Sequence, residues 1–191
     1  MSLRGAILGF LSLEPTSGYS LKQRFDGSVQ SFWTATQSQI YRELHALEED
    51  GAALAERLPG AGKPDRKVYS LTKRGREELA KWLAEPLEPL VLRHPLLLKF
   101  VFAAELPPAA LDAQLARYAE GVGATRREYK GRLASEEIFM LARSARERSV
   151  WQLSIEHGLG WCDAELAWIA RARKQLSRAP EGKKRWNRKK K

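Results

Sequence analysis

A short polar run contains side chains suited to reading the edges of DNA bases. Thr36 is followed by Gln37, Ser38 and Gln39, and Arg42 comes three residues later. Glutamine can pair with adenine, arginine with guanine and serine with either base, and a helix that carries such residues fits the major groove. Thr36 and Gln39 also have the spacing of a capping box, which starts a helix. Base contact and capping both stay open as roles for Ser38 and Gln39.

A second group of candidates lies in a basic segment rich in glycine and proline. Strand candidates at 53–58 and 67–71 flank the sequence PGAGKPDR, and this order predicts a β-hairpin. Lys63, Arg66 and Lys67 are therefore candidates for contact with a phosphate backbone. A solvated turn is the plain alternative.

The helix that carries the polar run has a single apolar stripe. Ile40, Leu44 and Leu47 recur at helical spacing, which predicts one buried face over residues 36–50. Tyr41 and His45 fall on other faces. We expect Tyr41 to contact a phosphate or to pack against the first helix, and His45 to be an exposed helix residue or a base contact.

The elements around this helix follow a recognisable order. Apolar spacing predicts helices over residues 3–13 and 19–25 before it, and a capped helix over 72–83 follows the hairpin. Helix, helix, capped helix, two-stranded hairpin and helix is the order of a winged helix-turn-helix domain. We place this DNA-binding domain at residues 1–88, up to a proline-containing linker.

The second half is predicted to be entirely helical, with a short helix at 95–105, a long one from Pro107 and another over 145–177. The long helix carries a heptad-like apolar seam, and the last helix has two apolar stripes that need cover on two sides. We therefore assign residues 89–178 to a dimerisation domain. The expected homodimer interface comprises Leu115, Tyr118, Val122, Trp151, Ile155, Trp161, Cys162, Leu166, Trp168 and Ile169.

Composition agrees with a polyanionic partner. The net charge is +10, and seven of the last nine residues, KKRWNRKKK, are basic. We expect residues 179–191 to be a tail that is disordered in isolation. Cys162 is the only cysteine, so no intrachain disulfide can form, and we expect a cytoplasmic protein without a membrane span.

The sequence does not favour an enzyme. Gly60-Ala61-Gly62-Lys63 has some features of a phosphate-binding loop, but Pro64 stands where serine or threonine is needed. The three histidines are far apart, no second cysteine supports a metal cluster, and no G-x-S-x-G motif occurs. We expect no catalytic residue, metal or cofactor.

Three segments together resemble the PadR family of transcriptional regulators over residues 3–90: ILGFLSLEPTSGYSLKQRF, SQIYRELHALEEDG and GKPDRKVYSLTKRGREEL. The segment LSIEHGLGWCDAELAWIARA resembles the virulence-activator-type C-terminal domain of one PadR subfamily. The resemblance implies a homodimer on an imperfect inverted repeat, usually a repressor, with or without a small aromatic or hydrophobic effector. It places the recognition-helix tyrosine at Tyr41 and the wing-tip basic residues at Lys63, Arg66 and Lys67. The basic tail is not a feature of the resemblance.

The expected fold is mainly α with a small β-hairpin wing: a winged helix-turn-helix domain and an all-α dimerisation domain. The expected function is sequence-specific binding of double-stranded DNA by a homodimeric regulator. Two alternatives stay open, a winged-helix module that binds protein or RNA and a sensor whose main event is capture of a small molecule.

Overall fold

The structure, a computed structural model, describes residues 3–30, 32–59, 66–87, 89 and 93–178. The chain divides into two compact units, Met1–Leu90 and Val91–Lys191, each with its own packing. We call the first unit the head and the second the helical unit. No helix among the described residues is both long and apolar enough to span a membrane.

The head contains four helices, α1 (Leu3–Leu13), α2 (Gly18–Ser28), α3 (Gln37–Glu49) and α4 (Lys73–Ala84). The predicted capping box starts α3, and threonine also caps α4, whose Thr72 hydroxyl accepts a hydrogen bond from the Gly75 amide. Helix α2 continues past residue 25, where we predicted its end, and includes Gly27, which faces open space.

A small antiparallel sheet completes the head. Strands β2 (Ala53–Leu58) and β3 (Arg66–Leu71) form the predicted hairpin, with Leu58 opposite Arg66. The sequence pattern did not reveal β1 (Thr16–Ser17), which pairs with β3 to give the strand order β1-β3-β2. Residues 60–65 of the loop between β2 and β3, Lys63 among them, lie outside the described residues.

One core holds the head together. Ile40, Leu44 and Leu47 are fully buried, as the apolar stripe predicts, and they pack with apolar side chains from α1, α2 and the sheet. Such burial contributes about 1.5–3 kcal/mol for each large aliphatic side chain. The other buried members of this core are Ile7, Leu8, Leu11, Leu21, Phe25, Ala52, Ala53, Tyr69 and Leu71.

The helical unit begins with α5 (Pro95–Val101), which is followed by a short 3₁₀ turn at Ala103–Glu105. Its main elements are α6 (Pro108–Ala134) and α8 (Ala145–Leu176), joined through the single turn of α7 (Glu136–Phe139). The fold class predicted from the sequence, mainly α with a small β-hairpin wing, is confirmed.

Helices α6 and α8 pack against each other within one chain. Val122, Tyr129 and Cys162 form their buried centre. Ion pairs flank it, with Arg126 beside Asp163 and the Arg173 Nε atom 2.6 Å from the Asp112 Oδ1 atom. The heptad-like seam of α6 therefore finds its partner helix in its own chain.

Candidate nucleic-acid interface

The start of α3 combines capping with exposed polar side chains. The Gln39 amide donates to the Thr36 hydroxyl at 3.2 Å, and the Thr36 amide donates to the Gln39 side-chain carbonyl at 2.8 Å. The carbonyl of Gln39 is thus engaged in the cap, and its side-chain NH₂ group is the part that could reach a base. Gln37 and Ser38 are exposed at the first two positions of the helix.

Opposite the buried stripe, α3 presents a polar face. Ser38, Arg42 and His45 are spaced at i, i+4 and i+7, so they lie on one side of the helix, and all three are exposed. Arg42 lies two residues beyond buried Ile40, about 200° around the helix axis. This face therefore points away from the core. The His45 Nδ1 atom lies 3.8 Å from a Glu48 carboxylate oxygen, one turn further on.

Tyr41 has a less open position than the polar face. It is half-buried, and its ring lies against the backbone of Gly18 at the start of α2. A methyl group built on Gly18 would come within 2.8 Å of two ring carbons of Tyr41. Both sequence-based roles, packing and phosphate contact, are compatible with this placement.

The wing carries two cations with different surroundings. Arg66 is exposed at the beginning of β3. The Lys67 ammonium donates to the Glu48 carboxylate at 2.6 Å and lies 5.4 Å from the centre of the Tyr69 ring. The hydrogen bond to Glu48 raises the pKa of Lys67, and burial raises the pKa of Tyr69. Lys67 thus ties the wing to α3.

The sequence analysis missed Arg57 as a wing cation. Arg57 is exposed on β2, directly opposite Lys67 in the hairpin register. Residues opposite each other in an antiparallel pair share a face of the sheet. The signal was available in the sequence, since Arg57 stands in the first strand candidate of the hairpin.

A cluster of charged side chains joins α3 to α1 and α4. Arg4 on α1 hydrogen-bonds to Glu78 on α4, and its guanidinium lies 3.5 Å from Glu43 on α3 and 2.9 Å from Asp50, the C-cap of α3. The hydrogen bond to Glu78 raises the pKa of Arg4, and the same bond lowers the pKa of Glu78. Three elements are joined at this point, so the orientation of the polar face depends on it.

In the helical unit, the predicted interface residues fall into two groups. Leu115, Cys162 and Ile169 are fully buried within one chain, and Val122 is nearly so. Tyr118, Trp151, Ile155, Leu166 and Trp168 are half-buried, whereas Trp161 is exposed. The first group supports α6 and α8 from inside, whereas Trp161 is accessible on the surface of this chain.

Two of these side chains have polar or aromatic neighbours. Burial and the nearby Glu165 carboxylate raise the pKa of Tyr118 to about 12. The Glu165 carboxylate also lies 3.3 Å from the His94 Nε2 atom. Trp168 packs edge-on against Phe100 of α5, with 5.3 Å between ring centres.

Comparison with known families assigns both units. Residues 7–81 match the Transcriptional regulator PadR-like family, and residues 92–177 match the family described as Virulence activator alpha C-term. The helical unit therefore resembles the second of these families, and the head resembles the PadR-like family. This is a family of transcriptional regulators rather than of enzymes.

Two curated relatives are described as transcriptional regulators. The chain is 48% identical to a probable transcriptional regulator of Mycobacterium tuberculosis over 89 residues, 47% of this chain and 47% of that protein. It is 35% identical to the negative transcriptional regulator PadR of Bacillus subtilis over 102 residues, 52% of this chain and 56% of that protein. The chain thus matches about half the length of these relatives.

Solved structures extend the similarity to both units. The Bacillus subtilis PadR structure in complex with operator DNA has a TM-score of 0.77 at 26% identity, and the match covers 91% of this chain and 98% of that chain. A structure of the same protein in complex with p-coumaric acid shares the fold, with a TM-score of 0.73 at 23% identity over 92% of this chain and 98% of that chain.

Proposed function

We propose that this PadR-like chain is a sequence-specific DNA-binding regulator that represses by occupying an inverted-repeat operator as a homodimer. The observation that carries the proposal is the exposed face of α3, Ser38, Arg42 and His45, opposite the fully buried stripe. A helix held in this way can enter the major groove with its polar face towards the bases. The proposed base contacts are Arg42 and Ser38 first, then Gln37, Gln39 and His45.

The wing and Tyr41 supply the proposed backbone contacts. Exposed Arg66 and Arg57 stand on the hairpin, and Lys63 belongs to its loop. Cations at these positions neutralise phosphates without reading sequence. Lys67 contributes to the same patch, although its ammonium is shared with Glu48. The Bacillus subtilis relative in complex with operator DNA supports a DNA partner for this chain.

The homodimer is proposed on the outer face of α8. Val150, Leu153 and Trp161 are large apolar side chains that one chain leaves 53%, 62% and 45% exposed. Two heads on one dimer would meet two half-sites, which explains why an inverted repeat is the expected target. We propose residues 89–178 as the dimerisation domain and the cytoplasm as the compartment in which such a regulator meets its operator.

The test is a selection of duplexes from a random-sequence pool by the full chain, followed by binding measurements and light scattering. We expect a recovered inverted repeat, tighter binding of it than of a random duplex, and a dimer at micromolar concentration. Recovery of no preferred sequence would contradict the proposal and favour a winged-helix module for protein or RNA. A monomer that binds DNA would contradict the homodimer alone.

A small-molecule partner is a second proposal, supported by p-coumaric acid in the Bacillus subtilis relative. We propose a small aromatic or hydrophobic effector that weakens operator binding. Titration of p-coumaric acid into the complex with the selected duplex tests it, with benzoic acid as a comparison of similar charge. An unchanged dissociation constant with a panel of such acids would contradict the effector, and release of DNA would support the sensor reading.

A further inference from the structure

One contact between α2 and α3 is closer than any side chain other than glycine would permit. A methyl group on Gly18 would lie 2.8 Å from the Cε1 and Cζ atoms of Tyr41 and 3.2 Å from its hydroxyl oxygen. Carbon atoms in contact prefer separations of about 3.5–4.0 Å. The phenol ring therefore rests on the bare backbone of the first residue of α2.

Backbone conformation does not explain the glycine. Among the described residues, the positive-φ glycine is Gly51, with φ of 70°, whereas Gly18 is an ordinary first residue of a helix. Alanine is also a better helix former than glycine by about 1 kcal/mol in a helix interior. What a side chain at position 18 would meet is therefore the ring of Tyr41.

We propose that Gly18 is a positioning residue for DNA binding, which acts by seating Tyr41 so that its hydroxyl donates a hydrogen bond to a DNA phosphate. This inference rests on the proposed DNA-binding function. The atoms nearest to Gly18 are at the far end of the phenol, so the seat fixes the position of the hydroxyl as well as that of the ring. Tyr41 adjoins buried Ile40 on α3, and its hydroxyl reaches the first turn of α2.

This position suits a backbone contact because it joins the two helices of the helix-turn-helix. In that motif the helix before the recognition helix crosses the DNA backbone while the recognition helix occupies the groove. A hydroxyl held between the two helices is thus placed for a phosphate and not for a base edge. A fixed donor also loses less rotational freedom on binding than a mobile one.

A comparison with Gly75 distinguishes a glycine that folding needs from one that positions a side chain. A methyl group on Gly75 would meet the backbone oxygen of Ala52 at 2.2 Å, and that oxygen accepts a hydrogen bond from the Thr72 amide. The atoms that face Gly18 are the end of a side chain that can rotate away. Replacement of Gly18 should therefore displace Tyr41 at little cost to folding.

The experiment is a double-mutant cycle of Gly18→Ala and Tyr41→Ala in the full chain, together with Tyr41→Phe. Gly27→Ala is the matched control, since the same change in the same helix meets nothing within 4 Å. The probes are a random-sequence duplex and the selected operator, and binding is measured over a series of salt concentrations. Thermal unfolding is recorded for every variant.

Gly18→Ala and Tyr41→Phe are each expected to weaken binding of both duplexes by about tenfold, the value of one hydrogen bond to a charged acceptor. The slope of log affinity against log salt should stay unchanged, because a neutral hydroxyl releases no counterion. In the Tyr41→Ala background, Gly18→Ala should have no further effect. The Gly27→Ala control should bind like the wild type.

Two results would overturn the proposal: wild-type affinity in Tyr41→Phe, or an equal loss from Gly18→Ala with and without the Tyr41 ring. If Gly18→Ala does not fold, the double variant decides, because removal of the ring should restore folding if the ring is what the methyl group meets. If the double variant also fails to fold, the proposed contact between Tyr41 and Gly18 is wrong. A wild-type chain that binds neither duplex refutes the proposed function itself, whatever the variants do.

Discussion

The head and the helical unit bury their apolar residues to different extents. In the head, twelve buried residues form one continuous core, and the exposed apolar side chains are scattered over separate elements. In the helical unit, exposed apolar side chains recur along single helices, such as Leu98, Val101 and Phe102 on α5 and its end, which are 68%, 75% and 68% exposed. The contrast indicates a head complete in itself and a helical unit that needs further cover.

The surfaces of the two regions suit different partners. The exposed face of α3 is polar and the wing is basic, which is the chemistry that DNA requires. The outer face of α8 exposes the apolar side chains of Val150, Leu153 and Trp161, which is the chemistry of an interface with another polypeptide. Specificity and dimerisation should therefore be separable by substitution, and the following variants test that separation.

The largest effect is expected from Trp161→Glu, which places a charge in the proposed dimer surface. We expect a monomer at micromolar concentration and a loss of operator affinity of about a hundredfold, since two linked heads gain avidity that one head lacks. Light scattering and binding to the selected duplex check the two effects. Ala170→Glu is the control, because it is exposed on the opposite side of the same helix. Dissociation by both variants would show that the charge, rather than its place, is responsible.

Gly75→Ala should test the rigidity of the head. The new methyl group would meet the Ala52 carbonyl oxygen at 2.2 Å, so we expect a loss of about 3 kcal/mol in the free energy of unfolding. Gly158→Ala in α8 meets the Tyr129 ring, also at 2.2 Å from its Cζ atom, and should cost about 1 kcal/mol because a ring can shift. Denaturant unfolding measures both. A larger loss from Gly158→Ala would reverse this ranking of the two sites.

Glu48→Gln should strengthen binding of the head to DNA phosphates and leave the fold unchanged. The substitution frees the Lys67 ammonium from its 2.6 Å contact and removes one negative charge beside the wing. We expect tighter binding to a random duplex and a salt slope steeper by about 0.9, the value for one additional phosphate contact. Glu49→Gln, an exposed neighbour on the same helix, removes the same charge without freeing Lys67. Equal slopes in the two variants would assign the effect to net charge.

The smallest effect concerns stability in acid. The hydrogen bond from Arg4 lowers the pKa of Glu78. A carboxyl group with a lowered folded-state pKa contributes stability above its unfolded pKa of about 4.3, and this contribution is lost as the pH falls through the folded-state value. Glu78→Gln should therefore lower the melting temperature at pH 6 by more than at pH 3. If Glu78→Gln lowers the melting temperature by the same amount at both pH values, ionisation of Glu78 does not contribute to stability.

Local patterns predicted the parts of the head that depend on near neighbours in sequence. Thr36 and Gln39 form the predicted capping box, and the stripe that includes Leu44 is buried. Strand β1 could not be read in the same way, because two residues form a strand only when β3 supplies its partner. The contact between Lys67 and Glu48 joins residues 19 positions apart, so helix or strand periodicity does not predict it.

The helical unit shows a different limit of sequence patterns. The heptad-like seam of Leu115, Tyr118 and Val122 indicated that α6 needs a partner helix, and it has one. Periodicity does not specify whether that helix belongs to the same chain or to a second copy. In the structure, the seam packs against α8 of the same chain. The outer face of α8 is the proposed contact with another protomer.

The central claim is that α3 reads base sequence, and Arg42→Ala tests it most directly. Dissociation constants for the selected operator and for a random duplex are measured at one salt concentration with variant and wild type. The account predicts a loss of about 1–3 kcal/mol on the operator, relaxed preference at one base position in each half-site, and little change on random DNA. Weakening of both duplexes by the same factor would show that Arg42 holds a phosphate, and the claim would be wrong.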